Sequence, residues 1–133
     1  MRIMISGSRE YDDYDFIRSV LEDAAGDARD VTVIHGAARG ADRLGGEAAD
    51  EYGFKVEAYP ADWAVGRRAG PIRNAEMLSK HIDIVLVFFK SGVPNVGTRD
   101  AAKAALKMQV PARYFIDDEE VTLVEAKRRI VPF

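Results

Sequence analysis

The stretch Val31-Thr32-Val33-Ile34-His35-Gly36-Ala37-Ala38-Arg39-Gly40-Ala41-Asp42 decides how this chain folds. Val31 to Ile34 is an apolar run that reads as a buried strand. The segment from Ala41 to Tyr52 reads as a helix, with Leu44, Ala48 and Tyr52 along one face and Gly53 at its C-cap. A glycine-containing turn joins the two. Strand, turn and helix N-terminus together put several backbone N–H groups without intrahelical partners at one point, at the positive end of the helix dipole. Such a point suits a phosphate or another anion. Arg39 adds a mobile cation beside the fixed donors.

Outward from this unit the same alternation repeats. Arg2 to Ser6 is a short apolar strand that ends at Gly7-Ser8-Arg9. Phe16, Ile17, Val20, Leu21 and Ala24 then recur at helical spacing between Asp12 and Ala25, and Gly26 ends that helix. Lys55 to Ala58 reads as a third strand closed by Pro60, and residues 60–70 read as irregular. A helix from Pro71 to about Lys80 follows, because proline is favoured at the first helical position. Ile82 to Phe89 is the strongest strand, apolar enough to be covered on both faces. After the loop Ser91 to Gly97 come an alanine-rich helix from Thr98 to Met108, a fifth strand from Ala112 to Ile116 and a short helix from Val121 to Ile130. Alternation of this kind predicts an α/β fold in one domain over residues 1–133. Its architecture is doubly wound: a mainly parallel five-stranded sheet with helices on both faces.

Composition narrows the function classes. With a formal charge of −3, the chain as a whole is no general polyanion binder, and any basic face must be local. There are no cysteines, so disulfides, thiolate ligands and cysteine nucleophiles are excluded. The two histidines are far apart with no carboxylate at ligand spacing, and neither a metal site nor a cofactor is expected. No apolar run approaches the length of a membrane span, and no signal-peptide pattern precedes the first strand. A cytoplasmic protein is the resulting expectation.

Ligands of open parallel sheets bind beyond the carboxyl ends of the strands, where strand order reverses. Three glycine-bearing loops fall at that end: Gly7-Ser8-Arg9, Gly36 to Asp42, and Gly92 to Asp100. Arg9, Arg39 and Arg73 bring guanidinium forks suited to phosphate. Arg67 and Arg68 join them or form an exposed basic loop. Asp42 either caps its helix or accepts hydrogen bonds from a ribose hydroxyl. His35 is a general base or, more commonly at a strand end, a hydrogen-bonded structural residue. Trp63 and Tyr59 stack on a base or pack over the sheet edge. His81 falls at a helix C-terminus and receives no role.

Read together, these pieces resemble the DUF2493 family, the YspA-like branch of the SLOG superfamily of Rossmann-like proteins. The matching pieces are Gly7-Ser8-Arg9, His35 to Asp42, Pro60-Ala61-Asp62-Trp63, Gly70-Pro71-Ile72-Arg73-Asn74 and Gly97-Thr98-Arg99-Asp100. Ala37 stands where the family's HGGARGAD pattern has a second glycine. The resemblance implies a nucleotide or nucleotide-derived ligand, ADP-ribose-like or a nucleoside monophosphate, held by a sensor or sequestering protein. The residues implied to bind it are Gly7, Ser8, Arg9, His35, Gly36, Ala37, Arg39, Gly40, Asp42, Arg73, Asn74, Gly97 and Thr98. A bacterial or bacteriophage source and a homodimer are implied as well. One alternative, by similarity to the LOG phosphoribohydrolases, is cleavage of nucleoside monophosphates with Arg73 and Asp100 as catalytic residues. In that comparison Asn74 stands in place of the LOG lysine. Ala101 stands in place of the LOG glutamate, with Asp100 one residue early and so about 100° away around a helix. A second alternative, by similarity to DprA, is single-strand nucleic-acid binding through Arg67, Arg68 and Arg73.

Overall fold

The apolar run ending at Ile34 is one of six strands in a single sheet, in a computed structural model that describes all of residues 1–133. Five strands run parallel: β1 (Arg2–Gly7), β2 (Thr32–His35), β3 (Lys55–Ala58), β4 (Ile84–Phe89) and β5 (Ala112–Ile116). β6 (Glu119–Val121) pairs antiparallel with β5. The helices are α1 (Tyr14–Ala25), α2 (Ala41–Glu51), α3 (Ala69–Leu78), α4 (Val96–Lys107) and α5 (Leu123–Arg129). Strand order is β3-β2-β1-β4-β5-β6. The chain winds outward from β1 to β3, then crosses back to place β4 on the other side of β1. That is the Rossmann order, and its switch point lies between β1 and β4.

The central strands are apolar on both faces because helices cover both. Ile3, Ile5, Leu86 and Phe88 belong to one buried cluster, with Ile17 and Leu21 of α1 and Ala48 and Ala49 of α2. Met4, Val85, Val87 and Phe89 belong to the other, with Met77 of α3, Ala101 and Ala105 of α4 and Ala126 of α5. Alternate residues of one strand therefore enter different cores, as period-two side-chain geometry requires. α2 lies unusually close to β1 because Gly45 faces Ile5, where a Cβ would overlap the isoleucine side chain.

The fold class matches the expectation, with one strand added and several boundaries moved. Asp117, at φ 53°, turns the chain back after β5 and makes β6 the sixth strand where five were expected. Glu119-Glu120-Val121 carries no apolar alternation, so its pairing with β5 is not written in its own sequence. α1 starts at Tyr14 rather than Asp12, because the Asp13 carboxylate accepts the Phe16 N–H at 3.0 Å and caps it. α3 starts at Ala69, which places Pro71 inside the first turn, where a missing N–H is harmless. α4 starts at Val96, so Gly97 and Thr98 lie in its first turn rather than in the preceding loop. In the segment 60–70, Trp63–Val65 form a single 3₁₀ turn capped by Asp62. The two outer strands are short and charged: β3 carries Lys55 and Glu57, and β6 carries Glu119 and Glu120. No helix is long and apolar enough to cross a membrane.

Candidate functional site

At the carboxyl ends of β1 and β4, beside the switch point, lies a cavity of about 540 Å³. Its walls come from four segments: Ser6 to Glu10 at the end of β1, Ala38 and Asp42 around the start of α2, residues between Trp63 and Asn74, and Pro94 to Thr98. The loops that converge here are those the sheet topology brings together. Charged side chains on the wall are Arg9, Arg67 and Arg73 against Glu10 and Asp42.

Asp42 changes the meaning of the glycine turn. It is only 5% exposed, and its Oδ2 accepts the Gly36 N–H at 3.0 Å. The N–H groups of Ala38 and Gly7 add weaker stabilisation to the same carboxylate. Burial pushes its pKa up to about 6, and the Arg73 guanidinium and these N–H groups limit the rise. The cradle at the start of α2 is therefore already filled by the chain's own anion. Gly36 permits this closeness, because a Cβ there would lie 2.9 Å from Asp42 Oδ2 and would overlap the Arg73 guanidinium. Gly40, at φ 80°, presses against the backbone of Ser8 and Arg9 and locks the turn onto the β1 loop.

Arg73 links that turn to the opposite wall. Its Nη1 donates to the Gly36 carbonyl at 2.6 Å, and its Nε donates to Asn74 Oδ1 at 2.9 Å. Asn74 Nδ2 in turn donates to Asp100 Oδ2 at 2.9 Å and more distantly to the Gly97 carbonyl. The remaining terminal nitrogen, Nη2, makes no hydrogen bond within the chain and belongs to a residue on the cavity wall. Burial lowers the Arg73 pKa, Asp42 opposes that shift and Arg9 adds to it, yet a guanidinium stays charged under all ordinary conditions.

The free backbone donors lie instead at the start of α4. Asn95, its N-cap, makes no capping hydrogen bond. Its side chain instead ties the preceding loop, accepting the Lys90 N–H at 3.1 Å and donating to the Lys90 and Val93 carbonyls at 3.0 Å. The first-turn N–H groups of Val96, Gly97 and Thr98 thus have no partner in the chain, and all three residues line the cavity. Thr98 is 4% exposed, and its hydroxyl makes no hydrogen bond within the chain. Ser6, 7% exposed, presents a second unpartnered hydroxyl to the same wall.

The structure brings Gly7, Ser8, Arg9, Asp42, Arg73, Asn74, Gly97 and Thr98 together around this cavity. Gly36, Ala37 and Arg39 line a neighbouring recess instead, and Arg39 pairs with Glu10 at 2.7 Å. Gly40 and His35 line neither space. His35 is buried with Nδ1 accepting the Ala37 N–H at 2.9 Å and Nε2 packed on Gly46, and burial lowers its pKa. That arrangement is the hydrogen-bonded structural role, and it places no general base on the cavity. Asp100 also stands off the wall, with its carboxylate engaged by Asn74. Ser6 and Glu10 are wall residues that the sequence reading did not single out, whereas the rim formed by Pro94 to Val96 falls within the expected Gly92 to Asp100 loop. Ser6 precedes a glycine loop and so carries a weak signal. The rim was legible as part of that loop, and the start of α4 within it was not. No group of His, Asp and Glu is arranged to hold a metal ion.

Comparison with known proteins agrees with the fold. Residues 1–66 match the YspA, cpYpsA-related SLOG family. The Gene 61 protein of Mycobacterium phage D29 is 35% identical over 127 residues, covering 87% of this chain and 97% of that protein. Among solved structures, DNA processing protein A (DprA) from Streptococcus pneumoniae superposes with a TM-score of 0.51 at 15% identity. That match covers 84% of this chain and 57% of the DprA chain, and it shows a shared fold.

Proposed function

Because the chain belongs to the YspA, cpYpsA-related SLOG family, we propose that it binds a nucleotide or nucleotide-derived small molecule in the cavity at the carboxyl ends of β1 and β4, as a sensor or sequestering protein. The observation that carries this reading is the pairing of an uncapped α4 N-terminus with the unpartnered hydroxyl of the mostly buried Thr98 on one wall and the free Nη2 of Arg73 on another. Fixed N–H donors, a hydroxyl and a guanidinium together match the oxygens of a terminal phosphoryl group. About 540 Å³ accommodates a nucleoside attached to it. Trp63, 55% exposed at the rim with the Arg9 guanidinium 5.5 Å from its ring centre, offers an aromatic face for the base.

Hydrolysis of the ligand is not part of this reading, because the Asp100 carboxylate is turned to Asn74. Calorimetric titration with nucleoside mono- and diphosphates and ADP-ribose tests the binding. A ligand at a hundred times its Kd stabilises the fold by about 2.7 kcal/mol, which thermal unfolding detects easily. Thr98→Val should weaken binding by about tenfold, the worth of one hydrogen bond to a charged group. Absence of any binding at millimolar ligand overturns the proposal.

A further inference from the structure

Beside the main cavity lies a second recess of about 390 Å³, lined by Arg9, Arg39, Arg43 and Arg73 together with the turn Gly36 to Ala38 and with Pro60, Ala61 and Trp63. No acidic residue lines it. Arg39 is partly neutralised by Glu10 at 2.7 Å, and Arg73 has Asp42 beside it. The other two have no carboxylate: Arg43 donates only Nε to the Ala37 carbonyl at 3.2 Å, and Arg9 lies against the Trp63 ring. In a chain of net charge −3, such a concentration of unneutralised guanidinium groups in one concave place calls for an anion.

The two spaces are neighbours. Arg9, Ala38, Trp63 and Arg73 belong to the walls of both, so the Arg9–Trp63 pair and Arg73 form the partition between them. Beyond the nucleotide reading of the main cavity, on which this rests, we infer that the ligand carries a second phosphoryl group, separated from the first by about one nucleoside, and that this group enters the arginine recess. The class is a nucleoside bisphosphate or a dinucleotide with phosphoryl groups at both ends of a ribose, rather than a simple mononucleotide. One phosphoryl group meets Thr98 and the α4 N-terminus, the nucleoside crosses at Trp63, and the second meets Arg43.

Calorimetry on the full chain tests this with adenosine 5′-monophosphate against adenosine 3′,5′-bisphosphate, and with the guanosine and uridine pairs. For at least one base the bisphosphate should bind about tenfold tighter or more, as a new charge-assisted contact provides. Arg43→Gln should reduce that advantage to within about twofold while monophosphate affinity stays unchanged, and Arg43→Lys should retain part of it. Equal affinity for the two ligands, or an advantage that survives Arg43→Gln, overturns the inference and leaves the nucleotide reading standing. If neither ligand binds, the nucleotide reading itself fails and the inference falls with it. Tighter binding of single-stranded oligothymidylate than of any bisphosphate, rising with strand length, overturns the inference in favour of a nucleic-acid strand.

Discussion

Replacing Asp42 with asparagine should remove a defined part of the pH dependence of stability. The carboxyl group is raised from an ordinary value of 3.8 to about 6, chiefly by burial. The folded chain therefore holds this proton more tightly than the unfolded chain does. The resulting stability is fully present below pH 3.8 and is lost as the pH rises through 6, with no further change above. At about 1.4 kcal/mol per pH unit, the shift amounts to about 3 kcal/mol, or roughly 10 °C in Tm for a domain of this size. Asparagine keeps the shape and does not titrate. Its poorer acceptance of the Gly36 N–H displaces the whole stability curve by a constant and leaves the slope to be compared. Urea unfolding of both proteins at half-unit steps from pH 4 to pH 7.5 provides the measurement. The wild-type free energy minus that of Asp42→Asn should fall by about 2.4 kcal/mol across this range, the rest of the shift lying below pH 4, and almost all of the fall comes below pH 6.5. Parallel curves refute the buried-carboxyl reasoning. A difference that grows with pH refutes it too, since it would make the ionised form the stabilising one.

Four further outcomes are expected. Gly36→Ala should displace Arg73, because its Cβ would overlap the guanidinium, costing about 1–3 kcal/mol in urea unfolding and most of the nucleotide affinity. Ala37→Gly should stabilise the chain by about 1 kcal/mol, since Ala37 sits at φ 60°, where a Cβ is penalised; an unchanged or lower Tm would count against the turn geometry. Trp63 is the single tryptophan and stands on the cavity rim, so a bound nucleotide should quench or shift its emission in step with the calorimetric isotherm. Incubation with nucleoside monophosphates should release no free base above the buffer blank. Release that disappears in Asp100→Asn would restore the phosphoribohydrolase alternative.

Much of the architecture was legible because both cores are written into alternating residues: Ile3 and Ile5 against Met4, Leu86 and Phe88 against Val87 and Phe89. β6 was not, since Glu119 and Glu120 announce neither burial nor strand and are held by a turn at Asp117. The candidate site was legible as a place and less so in its parts. Three glycine loops at equivalent strand ends marked the cavity, and Arg73 and Thr98 were identifiable within it. Which donors stay free is a different matter. The sequence reading placed the anion at the glycine–arginine turn, but the Asp42 side chain folds back onto that turn, and Asn95 turns away from the helix that it precedes. Both outcomes depend on side-chain pairings across loops distant in sequence, and local propensity does not encode those.

The two outer strands carry a consequence for assembly. An unpaired strand edge is a template on which another chain can continue the ladder, unless charge or shortness blunts it. Here both ends of the sheet are blunted: four residues with Lys55 and Glu57 at β3, three with Glu119 and Glu120 at β6. Arg2 forks onto Glu57, and Arg113 and Arg129 hold the two glutamates of β6, so these charges are tethered in place along the borders. A ribbon running from one copy into the next is thereby closed off. Edge-to-edge pairing of copies is thus disfavoured at both borders of the sheet.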